Sequence, residues 1–262
     1  MVLALALAAC AGTPASTAPS ARSADAVASF DHSHAAFAKV LDGAVSSDGR
    51  VRYALLRERE KALDAYVDGL ADVRVHGMSK PEQLAFWVNA YNAVTLSLIV
   101  DNPSIASIRD LDGGEVWKAR RFKVGGQLVT LDQMENEKAR PLTDGRVHAV
   151  VNCASVGCPP LPPRPLVPDH LDAQLDAAAA RWVRTNAYDI RGDTLYLSKI
   201  FQWYPGDFEG YRQDAIPGAN EAQTRALWFL ARYADKNVAT RLTAGAYNLD
   251  WNEYDWSLNQ AE

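Results

Sequence analysis

The feature that most constrains the fold is a long apolar segment in the first half of the chain. Residues 81–100 read PEQLAFWVNAYNAVTLSLIV, and apolar side chains would surround nearly the whole of a helix over these residues. Ser79 or Lys80 lies near the cap position, and Pro81 lies at the first helical position, where its missing N–H costs nothing. A helix that is apolar on every side has to be buried, so we expect this one at the centre of the core.

Two asparagines interrupt the apolar segment. Asn89 and Asn92 are three residues apart and therefore share one face of the helix. A buried side-chain amide must find hydrogen-bond partners, so one interpretation is that both amides tie the helix to neighbouring loops. The alternative is that they line a ligand pocket.

The rest of the chain mixes helices with short strands. Periodicity and turn residues predict helices over residues 30–45, 58–70, 171–185 and 221–234, strands over 51–55 and 147–151, and hairpins over 122–131 and 188–197. We expect an α+β fold with a single domain, in which helices pack on a small, mainly antiparallel sheet around the central buried helix. His32 and His34, in the first turn of the first helix, are expected at the surface.

Composition and charge restrict the class of protein. The chain has 262 residues, of which 48% are hydrophobic and 23% are charged, as in an ordinary globular domain. Its net charge of −5 does not favour a nucleic-acid partner, which would require a basic face. We identify no apolar run near 20 residues and therefore expect no ordinary membrane span.

The N-terminal residues suggest export. Residues 7–10 read LAAC, the Leu-small-small-Cys pattern of bacterial lipoprotein signal peptides, and the alternative is a chance cysteine in an apolar start. The segment is short and lacks a basic start, so we expect the true start codon to lie upstream of Met1. We predict a truncated signal segment at residues 1–9, a flexible Ala/Ser/Thr/Pro tether at 10–29 and a globular domain at 30–259. Lipid attachment at Cys10 would make the protein a bacterial cell-envelope lipoprotein, periplasmic or in the outer membrane.

A second stretch carries most of the reactive side chains. Residues 146–161 read RVHAVVNCASVGCPPL. We expect a buried strand that contains His148, followed by a loop that several prolines stiffen. The loop holds Cys153, Ser155 and Cys158, and reactive groups on a rigid support are a common arrangement in functional sites.

Five separated motifs carry a resemblance to a known family. They are FWVNAYNA at residues 86–93, LDQME at 131–135, RVHAVVNCASVGCPPL at 146–161, LSKIFQWYPGDF at 197–208 and YDWSLN at 254–259. In these motifs and their order the chain resembles the bacterial and plant domain of unknown function DUF-547, over residues 30–259. One departure is Asn136, where the family pattern has His after Ile-Glu. The family has no agreed biochemical activity, so the resemblance implies a domain and not a reaction.

Cys153 and Cys158 allow three interpretations besides inert buried thiols. The first is a disulfide, which the short spacing permits and an oxidising compartment would favour. The second is a cysteine hydrolase or transferase, with Cys153 as nucleophile, His148 as base and either Glu135 or Asn89 orienting the imidazole. Against it, an extended strand would hold His148 and Cys153 about 16 Å apart. The third is a mixed metal site formed by Glu135, His148, Cys153 and Cys158. The CxxC and HxxxH spacings of zinc sites are absent from the sequence, so we expect neither a metal nor a cofactor.

Two arginines lie at the N-terminal side of the stretch 146–161. Arg140 and Arg146 either form local salt bridges with Glu135 or Asp144, or act as a clamp for a carboxylate or phosphate at the mouth of a pocket.

We predict that these side chains converge on one cleft. The catalytic candidates are Cys153, His148 and Glu135, and the expected pocket-lining residues are Asn89, Asn92, Ser155, Cys158, Arg140 and Arg146. Trp203, Tyr204 and Trp256 are expected in the core or, alternatively, as an aromatic wall for a sugar or peptide. Two functions remain open: a thiol-dependent hydrolase or transferase, and a non-enzymatic module that binds a ligand or partner beside a disulfide-locked loop. The expected partners are a small molecule or peptide, and the membrane through Cys10; nucleic acid is not expected.

Overall fold

The predicted central helix is present and organises the core. The computed structural model describes residues 30–261, and the predicted signal segment, the tether and Cys10 lie outside this range. The helix spans Lys80–Val100 and begins with a capping box, in which Ser79 Oγ accepts from the Glu82 N–H at 3.4 Å and the Glu82 carboxylate accepts from the Ser79 N–H at 2.7 Å. From residue 84 to residue 100, every side chain except that of Ser97 is buried.

The same helix corrects our expectation that no membrane-length apolar run exists. By length and composition alone, Lys80–Val100 could cross a membrane. However, 89% of its most apolar window is buried inside the domain, as in the core helix of a globular fold. Its apolar character is therefore accounted for by packing.

The remaining elements are mostly short. The α-helices are α1 (Ala35–Leu41), α2 (Tyr53–Glu58), α3 (Glu60–Gly69), α4 (Lys80–Val100), α5 (Val116–Ala119), α6 (Leu131–Gln133), α7 (Leu171–Thr185), α8 (Lys199–Trp203), α9 (Glu221–Tyr233) and α10 (Lys236–Thr243). A π-helical turn covers Met134–Ala139, and 3₁₀ helices cover Ile108–Gly114, Arg140–Leu142, Gly145–Ala149, Pro168–His170 and Pro205–Tyr211. The strands are β1 (Phe122–Val124), β2 (Gln127–Val129), β3 (Tyr188–Arg191), β4 (Thr194–Leu197) and β5 (Asn248–Trp251).

The strands form two small sheets. Strands β1 and β2 make an antiparallel pair, and the second sheet has the order β3-β4-β5, with β3–β4 antiparallel and β4–β5 parallel. From Asp31 onward the described chain is one compact unit. The predicted α+β class is therefore confirmed, with a mainly antiparallel pairing that is divided between two sheets.

Helices α3, α7 and α9 and both hairpins lie close to their predicted positions, but the first helix is shorter than expected. His34 occupies its N-cap position in a left-handed conformation. The prediction that His34 lies at the surface is wrong, because only 1% of its surface is exposed and its Nδ1 lies 2.6 Å from the Tyr66 hydroxyl. His32 is partly exposed.

Both predicted isolated strands are wrong. Val51 makes only single bridges, to Val45 and Gln260, and helix α2 begins at Tyr53. Residues 147–149 of the apolar run after Arg146 belong to the 3₁₀ helix Gly145–Ala149, which packs against α7, and residues 150–151 follow this helix without forming a strand. Its β-branched residues therefore satisfy burial without strand pairing, which shows why β-propensity depends on the neighbours that are available.

An aromatic cluster forms the part of the core that supports the site. Trp182 stacks on Phe201 at 4.8 Å between ring centroids, Phe201 contacts Phe208 at 4.7 Å, and Phe208 meets Phe229 edge-to-face at 5.1 Å. These contacts join α7, α8, α9 and the 3₁₀ helix Pro205–Tyr211. They fix the position of that 3₁₀ helix, which bears a charged side chain of the site.

Candidate functional site

The site is built where the 3₁₀ helix Gly145–Ala149 passes into the cysteine loop. The Asp144 side chain accepts from the Arg146 N–H at 2.9 Å and so caps this helix. His148 lies within the helix and is only 2% exposed. A histidine this deeply buried needs polar partners, and the surrounding helices supply them.

A disulfide joins Cys153 to Cys158, with 6.3 Å between the two Cα atoms. Asn152 shapes the loop from inside: its amide donates to the Pro159 carbonyl at 2.8 Å and accepts from the Ala154 N–H at 2.9 Å. Ala154 has φ +60°, a conformation that non-glycine residues rarely adopt. The covalent bond and the Asn152 amide together hold the loop in a conformation that its sequence alone does not favour.

The C-terminal segment closes against this loop. The Gly157 N–H donates to the Asp255 carbonyl at 2.8 Å, and a Cβ at Gly157 would lie 3.0 Å from both Asp255 and the Tyr254 ring. The Tyr254 hydroxyl lies 3.2 Å from each disulfide sulfur and 3.1 Å from Ser155 Oγ. Glycine at position 157 thus allows the close approach that places Tyr254 beside the disulfide.

A cavity of about 320 Å³ opens on one side of the disulfide. It is lined by Tyr91, Trp117, Asp132, Glu135, Asn136, His148, Val151, Cys153, Cys158, Pro159, Ile200, Trp203, Tyr204, Tyr254 and Trp256. Aromatic rings and a few polar groups in a concave site are typical of small-molecule binding sites. The three catalytic candidates predicted from the sequence, together with Cys158, do meet in this cavity.

Asp207 is the hydrogen-bond partner of His148, at 2.7 Å from Nε2 to the carboxylate. The same carboxylate accepts two hydrogen bonds from Arg140, at 2.7 and 3.0 Å. Burial of Asp207 opposes its ionisation, but the hydrogen bonds from His148 and Arg140 outweigh that effect and hold its pKa well below the usual range. We expected Glu135 in this role, and the structure corrects that assignment, because Asp207 reaches Nε2 from the neighbouring 3₁₀ helix.

Glu135 lies elsewhere in the cavity wall, on the π-helical turn Met134–Ala139. Desolvation raises the pKa of its carboxyl, while electrostatic interactions with His148 and Arg140 and a hydrogen-bonding interaction with Tyr91 act in the opposite direction. Burial also raises the pKa of Tyr91 well above its usual value, so this hydroxyl remains a proton donor. Burial therefore makes the charged form of the Glu135 carboxyl costly.

The two asparagines of α4 act as ties between the helix and loops, and they do not line this cavity. Asn89 exchanges two hydrogen bonds with the backbone of Leu166, at 2.8 and 2.9 Å. Asn92 donates to the Val150 carbonyl at 2.8 Å and accepts from the Asn152 N–H at 2.9 Å. The prediction that Asn89 and Asn92 line the pocket is therefore corrected. Each side-chain amide instead donates to one backbone carbonyl and accepts from one backbone N–H.

The arginines and Ser155 also lie outside the lining. Arg140 reaches the site only through other side chains. Its guanidinium donates to the Asp207 carboxylate and to the Asn136 side-chain carbonyl, the latter at 2.6 Å. Ser155 lines a different cavity.

Arg146 forms ion pairs with three carboxylates, those of Asp144, Asp172 and Asp176, at 2.9, 2.8 and 3.0 Å. The expected local salt bridge with Asp144 is confirmed, and the clamp at the mouth of the site is wrong for this residue. Its guanidinium is engaged by these acidic groups, and Arg146 does not line the cavity beside the disulfide.

The aromatic residues form a wall of the cavity, which favours the second of our two interpretations. Trp203 is 45% exposed, so its placement in the core is wrong. Tyr204 and Trp256 are partly exposed and, with Trp203, line the cavity. Tyr204 also stacks on the His148 ring at 4.5 Å, and burial raises its pKa to about 12.

Sequence reasoning missed Asp207, Tyr91 and Tyr254 as parts of the site. Asp207 and Tyr254 lie inside two of the motifs that carry the family resemblance, WYPGDF and YDWSLN. Tyr91 lies between Asn89 and Asn92 in the central helix, where it is easily mistaken for a core aromatic. The signal was present, but only the fold brings these distant positions together.

Within residues 30–261, no group of three or more His, Cys, Asp or Glu side chains is arranged to hold a metal ion.

Comparison with known proteins supports the family resemblance. Residues 75–183 match the model of a family described as "Protein of unknown function, DUF547". The matched segment includes α4, Glu135, His148 and the cysteine loop, whereas the motifs at 197–208 and 254–259 lie beyond it. No curated protein and no solved structure matches the chain. The family description names no activity, so the function has to be argued from the site.

Proposed function

We propose that this domain binds a small ligand in the cavity beside the Cys153–Cys158 disulfide. The disulfide is the observation that carries this proposal, because it engages both sulfur atoms in the cavity wall. A cysteine hydrolase or transferase would need one of them as a thiolate. With both sulfurs bonded, the loop serves as a rigid wall, and the aromatic and polar side chains around it provide the recognition surface.

The proposal includes an envelope location, with the domain tethered by a lipid on Cys10. The LAAC motif and the Ala/Ser/Thr/Pro-rich sequence after it support this location, and a disulfide is most stable in an oxidising compartment. The test is to express the protein from its native gene and to compare it with a Cys10→Ser variant. We expect the wild type in the membrane fraction and the variant in the soluble fraction. Equal distribution of the two proteins would refute the lipid anchor.

A second candidate function is the thiol-dependent hydrolase or transferase. It is favoured by one observation: Cys153 and His148 line the same cavity. With Nε2 donating to Asp207, the neutral imidazole would keep its lone pair on Nδ1 and serve as a base for a reduced Cys153. This candidate requires that the disulfide be reduced where the protein works.

Alkylation distinguishes the two functions. Folded, exported protein is treated with iodoacetamide at pH 7 without reductant, and labelled residues are identified by mass spectrometry. The binding function predicts no label on Cys153 or Cys158. Rapid label on Cys153, which a His148→Ala substitution abolishes, would overturn it in favour of the enzyme.

A further inference from the structure

We infer that the ligand of this cavity carries an organic ammonium group, held between the aromatic wall and the Glu135 carboxylate. The inference rests on the proposed binding function and specifies its ligand class. Three independent features of the lining support it: the arrangement of the aromatic rings, the sign of the charged groups and the environment of Glu135.

The aromatic wall is a connected cluster of rings. Tyr254 lies 4.5 Å from Trp256 and 4.8 Å from Trp203 between ring centroids, and Trp117 lies 5.6 Å from Trp256. Indole and phenol rings attract cations to their faces, and several rings around one cavity add their contributions. Trp203, at 45% exposure, offers a large apolar surface to solvent that a ligand would cover.

Two rings of this wall already have a cation over them. The guanidinium of Arg109 lies 5.2 Å from the centre of the Trp256 ring, and that of Arg140 lies 4.6 Å from the centre of the Tyr204 ring. Neither arginine lines the cavity. The wall is therefore electrostatically suited to positive charge, and its arginines lie outside the space that the ligand would occupy.

The charged groups that line the cavity are acidic. Asp132 and Glu135 contribute carboxylates, and among the described residues of the lining none is Lys or Arg. Arg140, which lies behind the wall, is engaged by both oxygens of Asp207. The remaining basic group of the lining, the His148 imidazole, is already paired with Asp207 at 2.7 Å. An anionic ligand would thus face two carboxylates, whereas an ammonium ion would face complementary charge.

Glu135 distinguishes a cation from a neutral ligand such as a sugar. Removal from water disfavours its charged form, and this effect outweighs the opposing influence of His148, Arg140 and the Tyr91 hydroxyl. A sugar stacked on the tryptophans would exclude more water from this carboxylate and would supply no charge to offset that cost. An ammonium ion in the same place would compensate the charge and contact the rings at once.

The experiment compares two probes of the same shape with the full-length protein. Choline carries a quaternary nitrogen, and 3,3-dimethylbutan-1-ol has a carbon in its place. We expect isothermal titration calorimetry to show that choline binds about tenfold more tightly, from the cation–π and carboxylate contributions. The Glu135→Gln substitution should remove most of this preference by weakening choline binding and leaving the affinity for the alcohol unchanged.

Two further variants keep the test decisive. Glu137→Gln, on the same π-helical turn but exposed, is the matched control and should bind both probes as the wild type does. Trp203→Leu replaces an exposed residue, so it should fold even if Glu135→Gln does not, and it should lower choline affinity more than alcohol affinity.

The other outcomes overturn the inference in different ways. Equal affinity for both probes, unaffected by Glu135→Gln, would show that the cavity binds ligands without selecting a cation, and the proposed binding function would survive. Absence of choline binding to the wild type would refute the ammonium assignment. The proposed function would still be decided separately, by the alkylation experiment, which involves no ligand.

Discussion

The double substitution Cys153→Ser/Cys158→Ser should lower the free energy of unfolding by about 2 kcal/mol. The disulfide links residues separated by 5 positions. In the chain-entropy model a loop of this size costs the unfolded chain about 7 cal/mol/K, which is about 2 kcal/mol at 25 °C and lies at the low end for disulfides. Serine hydroxyls can retain the hydrogen bonds with Tyr254 that the sulfurs make. The loss should therefore be close to that of the covalent link alone.

Urea denaturation without reductant, followed by tryptophan fluorescence, measures this change. In a separate thermal unfolding experiment on a domain of this size, a loss of about 2 kcal/mol corresponds to a decrease in Tm of about 4–8 °C. Wild-type protein in reductant is the control, and its stability should approach that of the double variant. If the variant in the absence of reductant is as stable as the wild type, the disulfide contributes nothing and the reasoning is wrong.

Three other predictions concern stability. Asn89→Ala should lower the free energy of unfolding by about 3 kcal/mol, because it leaves two buried backbone groups of the adjoining loop without partners. The control Asn102→Ala, at the end of the helix, should lower it by about 1 kcal/mol, and urea denaturation compares the two variants. Burial lowers the pKa of His34 to about 4, so below pH 6.5 the unfolded state takes up a proton that the folded state resists. Stability should thus fall by up to about 3 kcal/mol between pH 6.5 and 4, and His34→Gln should flatten this part of the profile. Asp207→Asn should lower the free energy of unfolding by about 2 kcal/mol, because it loses the ion pairs with His148 and Arg140. The control Asp189→Asn removes an exposed ion pair and should change the free energy of unfolding by less than about 0.5 kcal/mol, and thermal unfolding compares the two variants.

The helical part of the fold was predictable because its signals are local. Helix α4 combines a capping box with a continuous apolar run, and α7 has a strong apolar stripe, so both were located to within a residue or two. The stretch after Arg146 was misassigned because its β-branched residues favour a strand only when a neighbouring strand is present. Here the neighbour is α7, and nothing in the local sequence reports that.

The sequence predicted which residues line the site better than it predicted the hydrogen bonds between them. Glu135, His148 and the two cysteines were identified from two separate motifs and do share a cavity. The partner of His148 is 59 positions away in sequence, and the choice between Glu135 and Asp207 depends on how two short helices pack. Non-local choices of this kind are decided by tertiary contacts, which periodicity and spacing do not encode.

The measurement that tests the central claim most directly is the mass of one peptide. Trypsin releases both cysteines of the loop on a single peptide, residues 147–181, because Pro165 protects the bond after Arg164. In exported protein digested without reductant, after alkylation under denaturing conditions, we predict that this peptide is unlabelled and lighter than the dithiol by two hydrogen atoms. Recovery of the peptide with both cysteines alkylated would show free thiols in the cavity wall and would contradict the account of a disulfide-locked binding site.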